Sequence, residues 1–487
     1  MKDYAQYDAT GLAELVQSKQ VSAQELLDAA IARANMVEPT LHAIVQRLDA
    51  FGRSTASGAL TGPFAGVPFL LKDYGQELDG VPNMCGSAAL KSNIAHGDST
   101  YTARCKAAGL VIFGRTATPE FALKGITEPE AFGATRNPIN TAHTPGGSSG
   151  GAAAVVAAGI VPMAGASDGG GSIRIPAAYC GLFGLRPSRG RVPYGPHHAE
   201  GWEGASSEHV LTRSVRDSAA MLDVLAGAAA GDPFTIAPPA AAFAELAQRA
   251  PGRLRIGFST RSPIGTEVDA EVREAVLRTA KQLEALGHQV EEAEPKLDGI
   301  ALAKSFFTMY LGQVAANMHK CRSLGASEND FELDSRALGL LGDALSAGEY
   351  VNERRKWNDY ARALGEYFTR FDLYLLPTTA YTAPRIGQLA TPALQRAAIK
   401  PILALGLGKA LLKSGQVDKM VRDSLRITPF TQLSNLTGTP SMSCPLAMSS
   451  DGLPIGVQFV APFGEEGRLL ALAAQLEPQF KPGRTVL

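Results

Sequence analysis

Thr144-Pro-Gly-Gly-Ser-Ser-Gly-Gly151 is followed, after a run of small residues, by Ser167-Asp-Gly-Gly-Gly-Ser-Ile-Arg-Ile-Pro176. Glycine this dense forfeits backbone entropy, so it marks places where the chain takes unusual dihedrals or comes close to a ligand. Between the two turns the chain reads as a helix from about Ser149 to Ala158 and a strand near Val161–Ala164, which sets each turn at the edge of a regular element. Two serines, Ser148 and Ser172, are thereby presented on glycine-framed turns. The backbone N–H groups of Gly169, Gly170, Gly171 and Ser172 are uncovered by large side chains and lie where a helix can begin, which suits an oxyanion hole.

A serine hydroxyl is a poor nucleophile until a base accepts its proton. Upstream, Gly66-Val-Pro-Phe-Leu-Leu-Lys72-Asp73 reads as a short buried strand delivering a lysine at its C-terminal end. A lysine desolvated in such surroundings has a lowered pKa and can act as that base. On the residues alone, an exposed strand-end lysine paired with a carboxylate is the stronger reading. Gly146-Gly-Ser148-Ser-Gly150 also fits the G-x-S-x-G elbow of α/β-hydrolases, with Ser148 as nucleophile and His209, His288 and His319 as downstream candidates for the base. Against it, Thr141-Ala-His-Thr-Pro145 is a poor strand to lead into an elbow.

Strand and helix signals alternate along the rest of the chain. Ser22-Ala-Gln-Glu25 has capping-box spacing and opens a helical stretch reaching Glu38-Pro39. A helix is expected around Ser99–Ala108, with strands at Val111–Phe113, Leu254–Phe258 and Gln289-Val290 and a helix over Val272–Leu286. The C-terminal part predicts strands at Leu373–Leu376, Pro440–Pro445 and Ile455–Ala461 and a helix over Leu469–Leu476. The expected fold class is α/β, a mixed twisted sheet sandwiched between helical layers, with residues 1–487 forming a single domain. The segment 381–426, rich in Pro, Gly, Ala and Leu, reads either as a mobile lid or cap over a pocket or as a packed helical excursion.

The 487 residues exceed the roughly 250–300 at which one core usually stops growing, though large α/β sheets reach this length. Lys and Arg number 46 against 47 Asp and Glu, with no clustered basic face, which argues against nucleic acid as the main ligand. Five scattered cysteines (Cys85, Cys105, Cys180, Cys321, Cys444) suggest neither disulfides nor zinc. No G-x-x-x-x-G-K-[ST] or H-E-x-x-H occurs, so no cofactor and no metal are implied. Met1-Lys-Asp-Tyr-Ala-Gln-Tyr-Asp8 lacks the pattern of a signal peptide, and no apolar stretch is long enough to span a bilayer, so cytoplasmic residence is the default expectation.

Taken together, these residues resemble the amidase signature family, whose pattern joins a strand-end lysine, a Gly-Gly-Ser-Ser-Gly-Gly turn and a Gly-Gly-Ser-Ile-Arg-x-Pro-Ala segment. The interval between Ser148 and Ser172 is the one that family keeps. The likeness extends through Glu128-Pro-Glu-Ala-Phe-Gly-Ala-Thr-Arg-Asn-Pro138, which leans toward bacterial cyclic-amide hydrolases, and through Gly452-Leu-Pro-Ile-Gly-Val-Gln458. It implies hydrolysis of a carboxylic amide through an acyl-enzyme on Ser172, with Ser148, preceded by a cis peptide, relaying protons to Lys72. It also implies supporting roles for Ser149, Asp168 and Arg174. Ala122, Leu123 and Thr127 are candidates for the acyl-pocket wall, with ordinary packing the alternative.

The expected partner is a small amide, uncharged or aromatic, with a homodimer as the association open to the chain on its own. Two further readings come with the likeness: the A subunit of a glutamyl-tRNA amidotransferase, and a catalytically silent binding protein. Two departures put substrate range in question. The family's Thr-Asp-x-Gly-Gly-Ser reads Ser167-Asp-Gly-Gly-Gly-Ser172 here, and its Lys-Asp-Asn reads Lys72-Asp-Tyr74.

Overall fold

The structure is a computed structural model that describes every residue except Lys2 and Gln416. These two, one in the N-terminal stretch quoted above and one within 381–426, lie outside the described residues.

Strands form where apolar runs are buried on both faces. β2 (Pro68–Lys72) and β3 (Val111–Thr116) are buried at every position. They pair in parallel, and β1 (Ile44–Arg47) joins β3 antiparallel, giving a three-stranded sheet in the order β1-β3-β2. The larger sheet holds β4 (Met163–Asp168), β5 (Phe183–Arg186), β6 (Ser207–Thr212), β7 (Arg255–Phe258), β8 (Gln289–Glu292), β9 (Leu373–Pro377), β10 (Ser441–Met448) and β11 (Pro454–Val460). Its order is β4-β6-β5-β10-β11-β9-β7-β8. Pairing is antiparallel from β4 as far as β9 and parallel among β9, β7 and β8, so the sheet is mixed, as expected.

Helices pack onto this sheet. Arg174–Cys180 lies against β10 and β11, Val215–Leu225 against β6, and Ala270–Ala285 against β9. One expectation changes: the lysine-bearing strand lies not in the large sheet but in the smaller one, set beside β4. Gln76 Nε2 bridges the seam by donating to the Ala166 carbonyl at 3.4 Å. β4 also runs past the expected Ala164 to Asp168, so the ends of β2 and β4 meet where Lys72 and Ser167 face each other.

The N-terminal helix, Ala23–Leu41, opens on the expected box, with Ser22 N–H on Glu25 Oε2 at 2.8 Å and Glu25 N–H on Ser22 Oγ at 3.2 Å. It runs through Pro39 and stops at His42 in the left-handed region. Among the described residues, the segment 381–426 contains three helices, Ala393–Ala404, Gly408–Lys413 and Val417–Leu425.

Candidate active site

The wholly buried side chain of Lys72 ends β2. Its Nζ donates to Ser148 Oγ at 2.8 Å and to Ser167 Oγ at 2.9 Å. The backbone of the same residue is held at both ends: its N–H donates to Gln76 Oε1 at 2.8 Å, and its carbonyl accepts Arg115 Nη2 at 2.9 Å. Arg115, itself buried, pairs with the buried Asp73 at 3.2 Å. Burial draws the Lys72 pKa down to about 7, against the upward pull of Asp168, Glu208 and Cys85. An amine this close to neutral, hydrogen-bonded to a serine hydroxyl, can take that serine's proton.

Ser148 follows a cis Gly147–Ser148 peptide. A Cβ on Gly147 would come within 2.6 Å of the Lys124 and Ile126 carbonyl oxygens, so only glycine fits that approach. Thr127 Oγ1 donates to the Gly146 carbonyl at 2.8 Å. This corrects the expectation that Thr127 forms pocket wall: it is fully buried, is absent from the cavity lining, and ties down the turn that carries Ser148. Ser149 locks that turn to the next, its Oγ donating to the Ser167 carbonyl at 3.2 Å and accepting the Ser167 N–H at 3.3 Å. Its N–H reaches the Ser172 carbonyl at 3.3 Å.

The second turn is organised by Asp168. Its carboxylate receives Arg174 Nε and Nη2, each at 2.9 Å, together with Asn435 Nδ2 at 2.9 Å. Burial works to raise its pKa, but the charge and hydrogen bonds of Arg174 outweigh burial and hold the carboxyl well below the usual range. Arg174 is anchored further by Thr431 O, Gln458 Oε1 and Asn435 Oδ1. Asp168 Oδ1 also accepts the Gly171 N–H at 2.7 Å. The four-donor hole expected from the sequence therefore narrows, because Gly171 is committed inward. The N–H groups of Gly169, Gly170 and Ser172 have no partner among the described residues.

Gly170 and Ser172 open onto a cavity of about 390 Å³. Ala122 and Leu123 line it, as do Trp202, Phe306, Phe307 and Tyr310. All four rings meet at Tyr310, with Trp202 edge-on to it at 5.9 Å and Phe307 and Phe306 stacked on it at 6.0 and 6.1 Å. Lys124 at the same wall is neutralised by Glu332 at 3.2 Å and Asp334 at 2.9 Å. Lys72 and Ser148 do not line the cavity. Ser172 Oγ has no hydrogen-bond partner among the described residues, so of the three groups it alone meets the cavity with a free hydroxyl.

The histidines needed for a hydrolase elbow are elsewhere. His209 lies in β6 on Ser218 Oγ at 2.9 Å, His288 is bonded to Leu254 N–H and Gln475, and His319 pairs with Asp343 at the surface. Burial pulls His209 down to about 3, leaving it neutral. Among the described residues there is no cluster suited to a metal ion and no helix long and apolar enough to cross a membrane.

Several residues of the site were not singled out from the sequence. Arg115 carries a local signal, a charge inside the apolar run Val111-Ile-Phe-Gly-Arg-Thr116. Gln458 closes a stretch quoted for the family likeness, with no role read for it, and Asn435 and Trp202 carry no signal, since their roles depend on partners distant in the chain.

The model of the family described as Amidase matches residues 24–470. Over 480 residues the sequence is 38% identical to the 6-aminohexanoate-cyclic-dimer hydrolase of Pseudomonas sp. (strain NK87), covering 96% of this chain and 94% of that protein. A solved structure of 6-aminohexanoate cyclic dimer hydrolase complexed with substrate aligns with a TM-score of 0.89 at 36% identity, over 98% of this chain and 97% of that one. A bacterial aryl acylamidase of the amidase signature family aligns with a TM-score of 0.83 at 28% identity, over 97% and 96% of the two chains.

Proposed function

This chain belongs to the amidase family, whose members hydrolyse amide bonds, and from that premise we propose that Ser172 is its nucleophile, Ser148 its proton relay and Lys72 its base. The observation that carries the proposal is the 2.8 Å link from the buried Lys72 to Ser148, next to a cavity-facing Ser172.

Ser172 Oγ adds to the amide carbonyl. Its proton passes to Ser148 Oγ, which gives up its own to Lys72 Nζ. The oxyanion settles on the N–H groups of Gly169, Gly170 and Ser172, donors that the fold leaves unpartnered among the described residues. Lys72 returns its proton through Ser148 to the amine, the C–N bond breaks, and the acyl group remains as an ester on Ser172. Water then enters by the same relay, releasing the acid and restoring the hydroxyl. Asp168 and Arg174 take no part in the proton traffic; they hold the turn.

The substrate is a small uncharged or aromatic amide. The ring-lined wall and the internal neutralisation of Lys124 support this. Relatives named for a cyclic dimer of 6-aminohexanoate and for aryl acylamides support it further.

Mass spectrometry after exposure to a fluorophosphonate is expected to find the label on Ser172. Lys72→Ala and Ser148→Ala are expected to lower kcat on an aryl amide by about 10³-fold or more, with the fold retained by circular dichroism. Label on Ser148 instead, or full activity in Lys72→Ala, would sink the assignment.

A further inference from the structure

Beside the oxyanion turn the cavity wall holds a polar atom that the relay leaves unused. Gln432 opens the short helix Gln432–Thr437, is 2% exposed, and lines the cavity with Gly170 and Ser172. What its nitrogen does fixes which way the amide points. Nε2 donates to the Gly170 carbonyl at 3.2 Å, and the same carbonyl accepts Thr431 Oγ1 at 2.6 Å. Flipping the amide would set two acceptors, Oε1 and the Gly170 oxygen, against each other. Oε1 is therefore the atom turned away from the Gly170 oxygen, buried and with no hydrogen-bond partner among the described residues, in a side chain that lines the cavity. A buried acceptor left unmatched is costly, and in a substrate cavity that cost disappears when the substrate brings the donor.

We propose that Gln432 is a substrate-binding residue whose Oε1 accepts the N–H of the scissile amide, selecting secondary amides over esters and N-alkylated amides of the same acyl group. The proposal rests on the reading of Ser172 as nucleophile. In the pose this requires, the carbonyl oxygen sits on the N–H groups of Gly169, Gly170 and Ser172 and the amide nitrogen is turned toward the wall that Gln432 shares with Gly170. An N–H there matches Oε1. An ester oxygen would meet it lone pair to lone pair, and an N-methyl group would push carbon into it. As Ser172 adds, the amide nitrogen turns from planar to pyramidal and must aim its lone pair at the hydroxyl that returns the proton. An acceptor gripping its N–H holds that orientation.

The test compares an anilide, its N-methylanilide and the phenyl ester of one acyl group, on wild type, Gln432→Met and Gln432→Glu. Methionine keeps length and bulk without an acceptor. It is expected to lower kcat/KM on the anilide by about 10–100-fold while the other two substrates stay within about threefold of wild type. Glutamic acid, kept protonated by burial against the Gly170 carbonyl, donates its hydroxyl there and leaves a carbonyl oxygen in place of Oε1, and is expected to keep the preference for the anilide.

A parallel fall on all three substrates in Gln432→Met would reduce Gln432 to a brace for Gly170 and overturn the proposal, as would loss of the anilide preference in Gln432→Glu. Fluorophosphonate labelling of the same preparations separates the two ideas. Parallel loss with Ser172 still labelled overturns the role of Gln432 alone, whereas unlabelled Ser172 in wild type overturns the nucleophile on which it rests.

Discussion

Lys72 answers two demands that pull in opposite directions: it must be uncharged to take a proton, yet tolerate the charge once taken. Burial serves the first by drawing its pKa down to about 7, and nearby carboxyls serve the second. Those carboxyls are not alike. Asp168 stays an anion because Arg174 holds it well below the usual range, whereas Glu208, opposite Ser167 across the β4–β6 pairing, is driven well above it by burial and by Glu77. Tyr74 and Cys85, the other titratable groups around Nζ, are both pushed up by burial and stay protonated near neutrality. Lys72 is the group of the relay that changes charge near neutral pH. Because the amine is the working form, kcat/KM is expected to be low in acid and to rise through an apparent pKa of about 7. Below that limb it should fall about tenfold per pH unit. The check is a profile on an aryl amide from about pH 5.5 to about pH 8.5; a flat profile there would show that the base is some other group.

At the scale of elements, the oxyanion turn, the end of β2 and the loop around residue 202 converge on one indole. Both departures from the family pattern touch it. A Cβ on Gly169 would come within 2.9 Å of Trp202 Cε3, so the extra glycine makes room for the ring, and Tyr74 Oη accepts the indole N–H at 3.2 Å. Trp202 in turn meets Tyr310 and forms part of the cavity wall. The two substitutions thus act through a third residue that neither neighbours in sequence, and the surface they shape is the one that meets substrate. Trp202→Ala is expected to raise KM for a phenylacyl anilide about tenfold or more while leaving acetanilide within about threefold. Gly169→Ala, by displacing the ring, should move both substrates in the same directions. Steady-state kinetics on the pair decide: equal losses would make Trp202 scaffold rather than pocket.

Across the whole molecule, what was legible in the sequence follows the range of the forces involved. β2, the capped helix Ala23–Leu41 and the two glycine turns are written in local pattern, and they appear where expected within a few residues. β6 was not read, because Ser207-Glu-His opens it with polar residues that are buried only by lying between β4 and β5. The separation of β2 from the large sheet, the inward commitment of the Gly171 N–H and the acceptor on Gln432 are likewise long-range facts. The segment 381–426 falls between these cases: its composition allows a helical excursion, but neither its helices nor its attachment is fixed by local pattern. Its ends are well tied, by backbone bonds of Pro384 and Ile386 to Thr144 and Ala142 and by Val421 and Leu425 in the core, but around the helix Ala393–Ala404 the polar links are Thr391 Oγ1 on Asp334 at 2.8 Å and Arg396 on Glu130 at 3.0 Å. The helix Ala393–Ala404 buries no residue, and Leu394 is 84% exposed. Yet Leu389, Thr391 and residues 423–428 line the cavity. A helix that buries no residue, as Ala393–Ala404 does, opens at little cost, and the exposed stretch around it is cut first by a protease. Limited trypsin digestion is therefore expected to nick the chain at Arg396, Lys409 or Lys413 before other sites. The nicked protein should keep its melting temperature within about 3 °C, because the sheet and its core are untouched, while KM for a bulky anilide changes severalfold. First cuts elsewhere, or a nicked protein that unfolds, would mean that the segment is structural packing and not a lid over the cavity.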